Sequence, residues 1–205
     1  MAVDIDGVNS TISTDKLIPQ SGTALQIGES SDVITIPSGA TITNSGTATG
    51  FSSGFTYGTE QATTSGSSVT FSSIPTGVSL IHLVFNGVST DNTAGLSVQL
   101  GDSGGIETSG YISTSSRLKD SSPNHGSSTA EFKLDLSLAS HLCSGVMTLM
   151  RVNASHAWIS AFVGKVSTIS AQLQGGSKTL SGELTQISIT STGNLDAGSA
   201  QILYI

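Results

Sequence analysis

The chain has 205 residues, room for one good domain and an appendage, and its 36% hydrophobic content and mean hydropathy of +0.15 supply a core, which excludes a mostly disordered protein. Only 10% of residues are charged, against about a quarter in ordinary globular proteins, so hydroxyls and amides must carry solubility, as in all-β fibres and coat proteins. A net charge of -7, a pI near 4.7 and only seven scattered basic residues exclude nucleic-acid binding, which needs clustered Lys and Arg.

The first residues, Met1-Ala2-Val3-Asp4-Ile5-Asp6, show neither the basic nor the apolar region of a secretory signal. No apolar run is long enough to span a bilayer. Synthesis in a cytoplasm is expected, with any exterior role reached by assembly into something larger. Asp4, Asp6 and Asn9 hint at a calcium loop but lack its acidic spacing and twelfth-position Glu, and the acceptor patterns at Asn9 and Asn153 carry little meaning without a signal.

Residues 1–60 read as an attachment segment and a β stalk. Leu25 and Ile27, Ile34 and Ile36, and Ala40 and Ile42 form short apolar rungs separated by turn chemistry at Gly28-Glu29-Ser30-Ser31 and Pro37-Ser38-Gly39. Such thin rungs cannot bury their own apolar faces and need partner chains. A homotrimer with Ile34, Ile36 and Ile42 on its axis is therefore expected. From Thr47 to Ser68 a Gly/Ser/Thr connector carries Phe51, Phe55 and Tyr57.

Residues 61–205 read as a β-sandwich or jelly-roll head, because short strands recur between Gly, Asn and Ser clusters and no capped three-turn helix is found. In chain order they are Val69–Phe71, the nearly continuous apolar run Val78–Val88, Leu96–Leu100, the strictly alternating Glu131–Leu138, Val146–Val152, Ala157–Val163, Thr185–Thr190 and Gln201–Ile205. The alternation predicts Phe132, Leu134, Leu136 and Leu138 inward. Tyr111 to His125 reads as the longest polar loop, offering Tyr111, Arg117, Lys119, Asn124 and His125 as receptor contacts, with Asp120 beside them. Trp158 has the residue type to stack on a sugar, but its alternation with Ser160 and Phe162 predicts a packed position.

Catalytic patterns are weak. Gly101-Asp102-Ser103-Gly104-Gly105 matches a serine-protease nucleophile motif and the Gly-x-Ser-x-Gly elbow, yet the only upstream histidine is His82, inside an apolar strand, and no helix follows. A tight glycine-rich turn and an inert Ser103 are expected. His125, His141 and His156 show no ligand spacing, and paired catalytic carboxylates have no positive support. The single Cys143, among Leu142, Val146 and Met147, excludes an intrachain disulfide and a paired-thiolate metal site and predicts a small buried hydrophobe. No cofactor or metal and no enzymatic activity are expected.

The segment Ile34-Thr35-Ile36-Pro37-Ser38-Gly39-Ala40-Thr41, running into Asn44-Ser45-Gly46-Thr47-Ala48-Thr49-Gly50-Phe51, resembles the stalk repeats of tail-fibre proteins of tailed bacteriophages, particularly those of marine and freshwater cyanobacteria and bacteria. Gln99 to Tyr111 and Asn194 to Tyr204 are similar to the C-terminal β domain of phage fibres and related prophage virion proteins. The resemblance implies a trimeric virion surface protein, made in the host cytoplasm, that docks other virion proteins through its N-terminal segment and touches a host surface glycan, without inserting into a membrane. Members often carry a longer N-terminal anchoring domain, so a capsid-decoration role stays open.

Overall fold

Alternating β-branched and hydroxyl residues punctuated by glycine give strands and tight turns, and a computed structural model of the chain is all-β. It describes residues 30, 31, 33–41, 43, 54–93, 95–119, 124–136, 138–153, 155–168 and 170–205, with no helix among them. Two units divide the chain, Met1–Gly50 and Phe51–Ile205.

In the first unit the expected break at Pro37-Ser38-Gly39 is a turn. Ala40 N–H donates to Pro37 O at 3.1 Å and Gly39 has φ 86°, the left-handed third position that a type II turn reserves for glycine. Among the described residues, 33–37 pair with no strand, and Ile34 and Ile36 are 57% and 47% exposed. Leu25, Ile27 and Ile42 lie outside the described residues.

The second unit is two antiparallel sheets. The nine-stranded sheet runs β1 (Thr56–Tyr57), β14 (Leu195–Tyr204), β4 (Leu80–Thr90), β10 (Cys143–Arg151), β11 (Ala157–Ser167), β12 (Ser170–Thr179), β7 (Tyr111–Leu118), β8 (Asn124–Ser128), with β2 (Gln61–Ala62) also on β14. The five-stranded sheet runs β3 (Ser68–Phe71), β13 (Gln186–Ser191), β5 (Leu96–Asp102), β6 (Gly105–Ile106), with β9 (Phe132–Leu134) also on β5. Because β1 already pairs with β14, the head's sheet takes in residues before position 61.

Between the sheets, Ile81, Leu83, Met147 and Phe162 meet Val98, Leu100, Phe132 and Ile187 in one buried cluster. Edge-to-face pairs Phe85–Phe162 (5.7 Å) and Tyr111–Phe132 (5.0 Å) add about 0.5–1.5 kcal/mol each beyond area burial. The Phe162 ring lies over the cross-strand pair Gly145 and Gly164, where an added Cβ would meet the ring and the facing backbone. Cys143 is buried, and burial pushes its thiol up to about 12, so it is the small hydrophobe expected.

Two readings of the chain need correction. Glu131–Leu138 is a strand only over Phe132–Leu134, because the partner β5 begins at Leu96, opposite Leu134, and the ladder ends there. Leu136 stays buried but Leu138 is half exposed. The supposed loop from Tyr111 is β7, followed by β8 from Asn124, and its Ser and Thr content hid a strand whose inward face is polar. For the same reason β12 was not legible.

Candidate interaction surfaces

The protease-like motif forms a tight turn. It turns β5 into β6, with Gly104 N–H donating to Asp102 Oδ1 at 2.7 Å and Ser181 Oγ–H to Asp102 Oδ2 at 2.7 Å. These bonds, Ser181's first, outweigh burial and hold the Asp102 carboxyl below its ordinary range. Ser103 is exposed at the tip. No strand of the five-stranded sheet carries a histidine; His82 sits in the other sheet, bonded to Thr148 Oγ1 at 3.1 Å and in tilted ring contact, 5.1 Å between centroids, with Phe55, one of the connector aromatics. Among the described residues nothing assembles a triad around Ser103.

The five sequence-predicted receptor residues divide. Tyr111 is only 1% exposed. The ladder neighbours of β5 on one edge stop at Val98 (β9) and resume at Gly101 (β6), leaving Leu100 N–H between them, and the Tyr111 hydroxyl accepts that N–H at 2.7 Å while lying 3.0 Å from Glu107 O. Burial pushes the Tyr111 hydroxyl's pKa up. Above the ring, at 5.3 Å, sits the buried Lys178 ammonium, ion-paired to Glu107, whose Oε1 accepts from Ser181 N–H at 2.7 Å. Tyr111 is therefore a clasp between sheets and not a receptor contact. Arg117, 9% exposed, points inward from β7 and is not a loop residue either. Lys119 and His125 are exposed; Asn124 begins β8. Arg117 and Lys119 line one cavity, whereas His125 stands on the outer face of the sheet opposite Ser116. Trp158 is buried in the core, away from any sugar.

Sequence reasoning missed an outer face. Register places Val146, Val163 and Leu173 side by side across β10, β11 and β12, and Met150 and Ile159 in a second row that continues through Ser177 to Ile112 on β7. The apolar residues of both rows and Leu118 are all exposed, up to 66% for Val163 and 72% for Ile112. On the opposite side of the same strands lie Ser113, Ser115, Ser160, Gln172, Gln174 and Lys178, all buried. Part of this inner layer is hydrogen bonded, with Gln174 Nε2–H donating to Ser160 Oγ at 2.9 Å and Lys133 N–H to Ser113 Oγ at 3.0 Å. The signal was the two-residue period itself, read with the polar set inward.

Among the described residues, no three His, Cys, Asp or Glu side chains converge as a metal site, and no helix is long and apolar enough to cross a membrane. No family model, curated protein or solved structure matches the chain.

Proposed function

We propose that the chain is a structural, non-enzymatic protein of a tailed-bacteriophage virion, a short tail fibre whose β-sandwich head assembles as a homotrimer and touches the host surface. The observation that carries this reading is the apolar outer face of the nine-stranded sheet. Its seven exposed aliphatic residues, Ile112, Leu118, Val146, Met150, Ile159, Val163 and Leu173, offer on the order of 600 Å², as large as the biggest patch on a typical monomer and most of the ~800 Å² per partner in a standard interface.

A second copy of the chain suits that face. Lys165 is the charged residue at its edge, so the face supplies little for a charged partner to recognise and is matched best by a surface as apolar as itself. Four strands, β10, β11, β12 and β7, span about 19 Å at ~4.8 Å each, and three such faces closing a triangle stand about 5.5 Å from its axis, near half of the ~10 Å spacing of packed sheets. Three-fold closure also gives the exposed Ile34 and Ile36 partners from neighbouring chains.

Light scattering should report three times the 20.7 kDa chain mass, and Val163→Asp, which puts a carboxylate amid that core, should yield folded monomers. The purified chain in excess should also slow adsorption of intact particles. A monomeric wild type defeats the trimer. Unchanged adsorption, combined with heat-fragile particles when the chain is deleted, moves the reading to a decoration protein whose apolar face seats on the shell.

A further inference from the structure

The chain holds seven Lys and Arg in all, yet three of them, Arg117, Lys119 and Lys165, line a single cavity of about 370 Å³. They come from distant stretches that the fold brings to one end of the nine-stranded sheet, where β7 and β11 finish and β12 begins. Asp135 lies outside the lining, and its charge reaches the cavity's His141. Among the described residues that line the cavity every charged side chain is a cation, in a protein of net charge -7, and a concave site concentrates that field. His141 registers the field, since burial first, then Arg117 and Lys119, hold its pKa down against Asp135. It faces the cations as a neutral ring whose Nδ1 is buried without a hydrogen-bond partner among the described residues.

The rest of the lining is not that of a bare anion hole. Ser140 and the hydroxyl pair Ser167–Ser170, 2.6 Å apart, bring neutral donors and acceptors, and half-exposed Leu138 and Leu142 form an apolar wall. Cations that grip oxyanions, hydroxyls that exchange hydrogen bonds with hydroxyls, and an aliphatic surface for C–H faces are the complement of an acidic sugar. The volume is at the small end of ligand pockets, suited to one or two sugar units.

We propose that this cavity binds an anionic saccharide unit, a sugar bearing a phosphate or carboxylate. As the ligand's biological carrier the inference takes the host-surface glycan of the fibre reading, but the binding chemistry stands without it.

The test is titration of the full chain at low salt, read by amide chemical shifts, with glucose 6-phosphate and glucuronate as probes and glucose and inorganic phosphate as controls. At least one acidic sugar should saturate, shift resonances at 117–119, 138–142 and 165–168, and bind at least about tenfold more tightly than either control. Lys119→Gln and Lys165→Gln, both exposed and remote from the core, should each weaken it by about threefold, the scale of one solvent-accessible charge contact, and raising salt should weaken it further. Absence of saturation by both acidic sugars, equal binding of inorganic phosphate, or indifference to both lysine variants overturns the proposal. Adsorption is a separate readout. Acidic-sugar binding without adsorption competition keeps the cavity and rejects the fibre, and competition that survives Lys119→Gln/Lys165→Gln with no sugar binding does the reverse.

Discussion

Tyr111→Phe isolates one hydroxyl on which the join between the two sheets depends. The ring and its edge-to-face contact with Phe132 remain, as does the face beneath Lys178, but the N–H of fully buried Leu100 loses its 2.7 Å acceptor. A buried donor left without a partner costs about 1–3 kcal/mol. At about 2–4 °C per kcal/mol for a chain of this size, a mid-range loss of about 2 kcal/mol lowers the melting temperature by about 4–8 °C. Thermal unfolding of the full chain by circular dichroism, at one protein concentration because assembly shifts apparent stability, reads this directly. Thr76→Ala, exposed in the turn ahead of β4 and away from that sheet face, serves as a control within about 0.5 kcal/mol of wild type. A Tyr111→Phe protein melting within about 1 °C of wild type, with adsorption abolished, would refute the clasp and restore Tyr111 as a surface contact.

Acidification should unfold the head. Glu183 is held below its ordinary range by the Gly77 N–H, which outweighs burial, and by Arg151; at Glu107 burial opposes the shift, but Lys178 and Ser181 prevail. Groups depressed in the fold stabilise fully above the ordinary carboxyl range and lose that contribution as pH falls through it, so the melting temperature should hold from pH 7 to about 5 and drop below about 4. Glu107→Gln should lower stability at pH 7, because it leaves buried Lys178 without its counter-charge, and flatten the acid limb; an unchanged pH profile counts against the pair. Cys143 should react with a disulfide reagent only upon unfolding, and rapid labelling of the native protein would show the burial to be wrong. Ser103→Ala should leave stability within about 0.5 kcal/mol of wild type, and stoichiometric labelling of wild-type Ser103 by a fluorophosphonate would overturn its assignment to a turn.

What could be read from the sequence was whatever buries apolar residues in the usual sense. Ile81, Leu83 and Phe85 in β4 and Phe162 in β11 announce inward faces by hydrophobicity alone, and the Gly-Asp-Ser-Gly-Gly turn announces itself by its glycines. Boundaries followed partners instead of local pattern, so β5 runs on to Asp102 where β6 pairs with it and β9 stops at Leu134 where β5 runs out. The basic residues looked scattered because Arg117 and Lys165 are 48 positions apart in a list but on neighbouring sheet ends in space. No local rule reports that meeting; it depends on the order in which β7, β12 and β11 lie side by side.

The proposed assembly gives the reversed patterning of β7 and β12 a physical cause. A sandwich that worked alone would gain from exchanging Ser113 and Ser115 with Ile112, since burying hydroxyls and amides needs compensating hydrogen bonds while exposed aliphatics gain nothing from water. Here the opposite distribution stands, and it is confined to one half of the nine-stranded sheet. On β4 the ordinary arrangement holds, with Ile81, Leu83 and Phe85 fully inward. The proposed assembly would account for the difference by two demands on one sheet: β4 and the inner side of β10 build the core between sheets, while the outer side from β10 to β7 would serve a second core between chains. Under the proposed trimer that second core lies on the three-fold axis, and the polar inner layer is the consequence of turning the aliphatic set of β7 and β12 toward it.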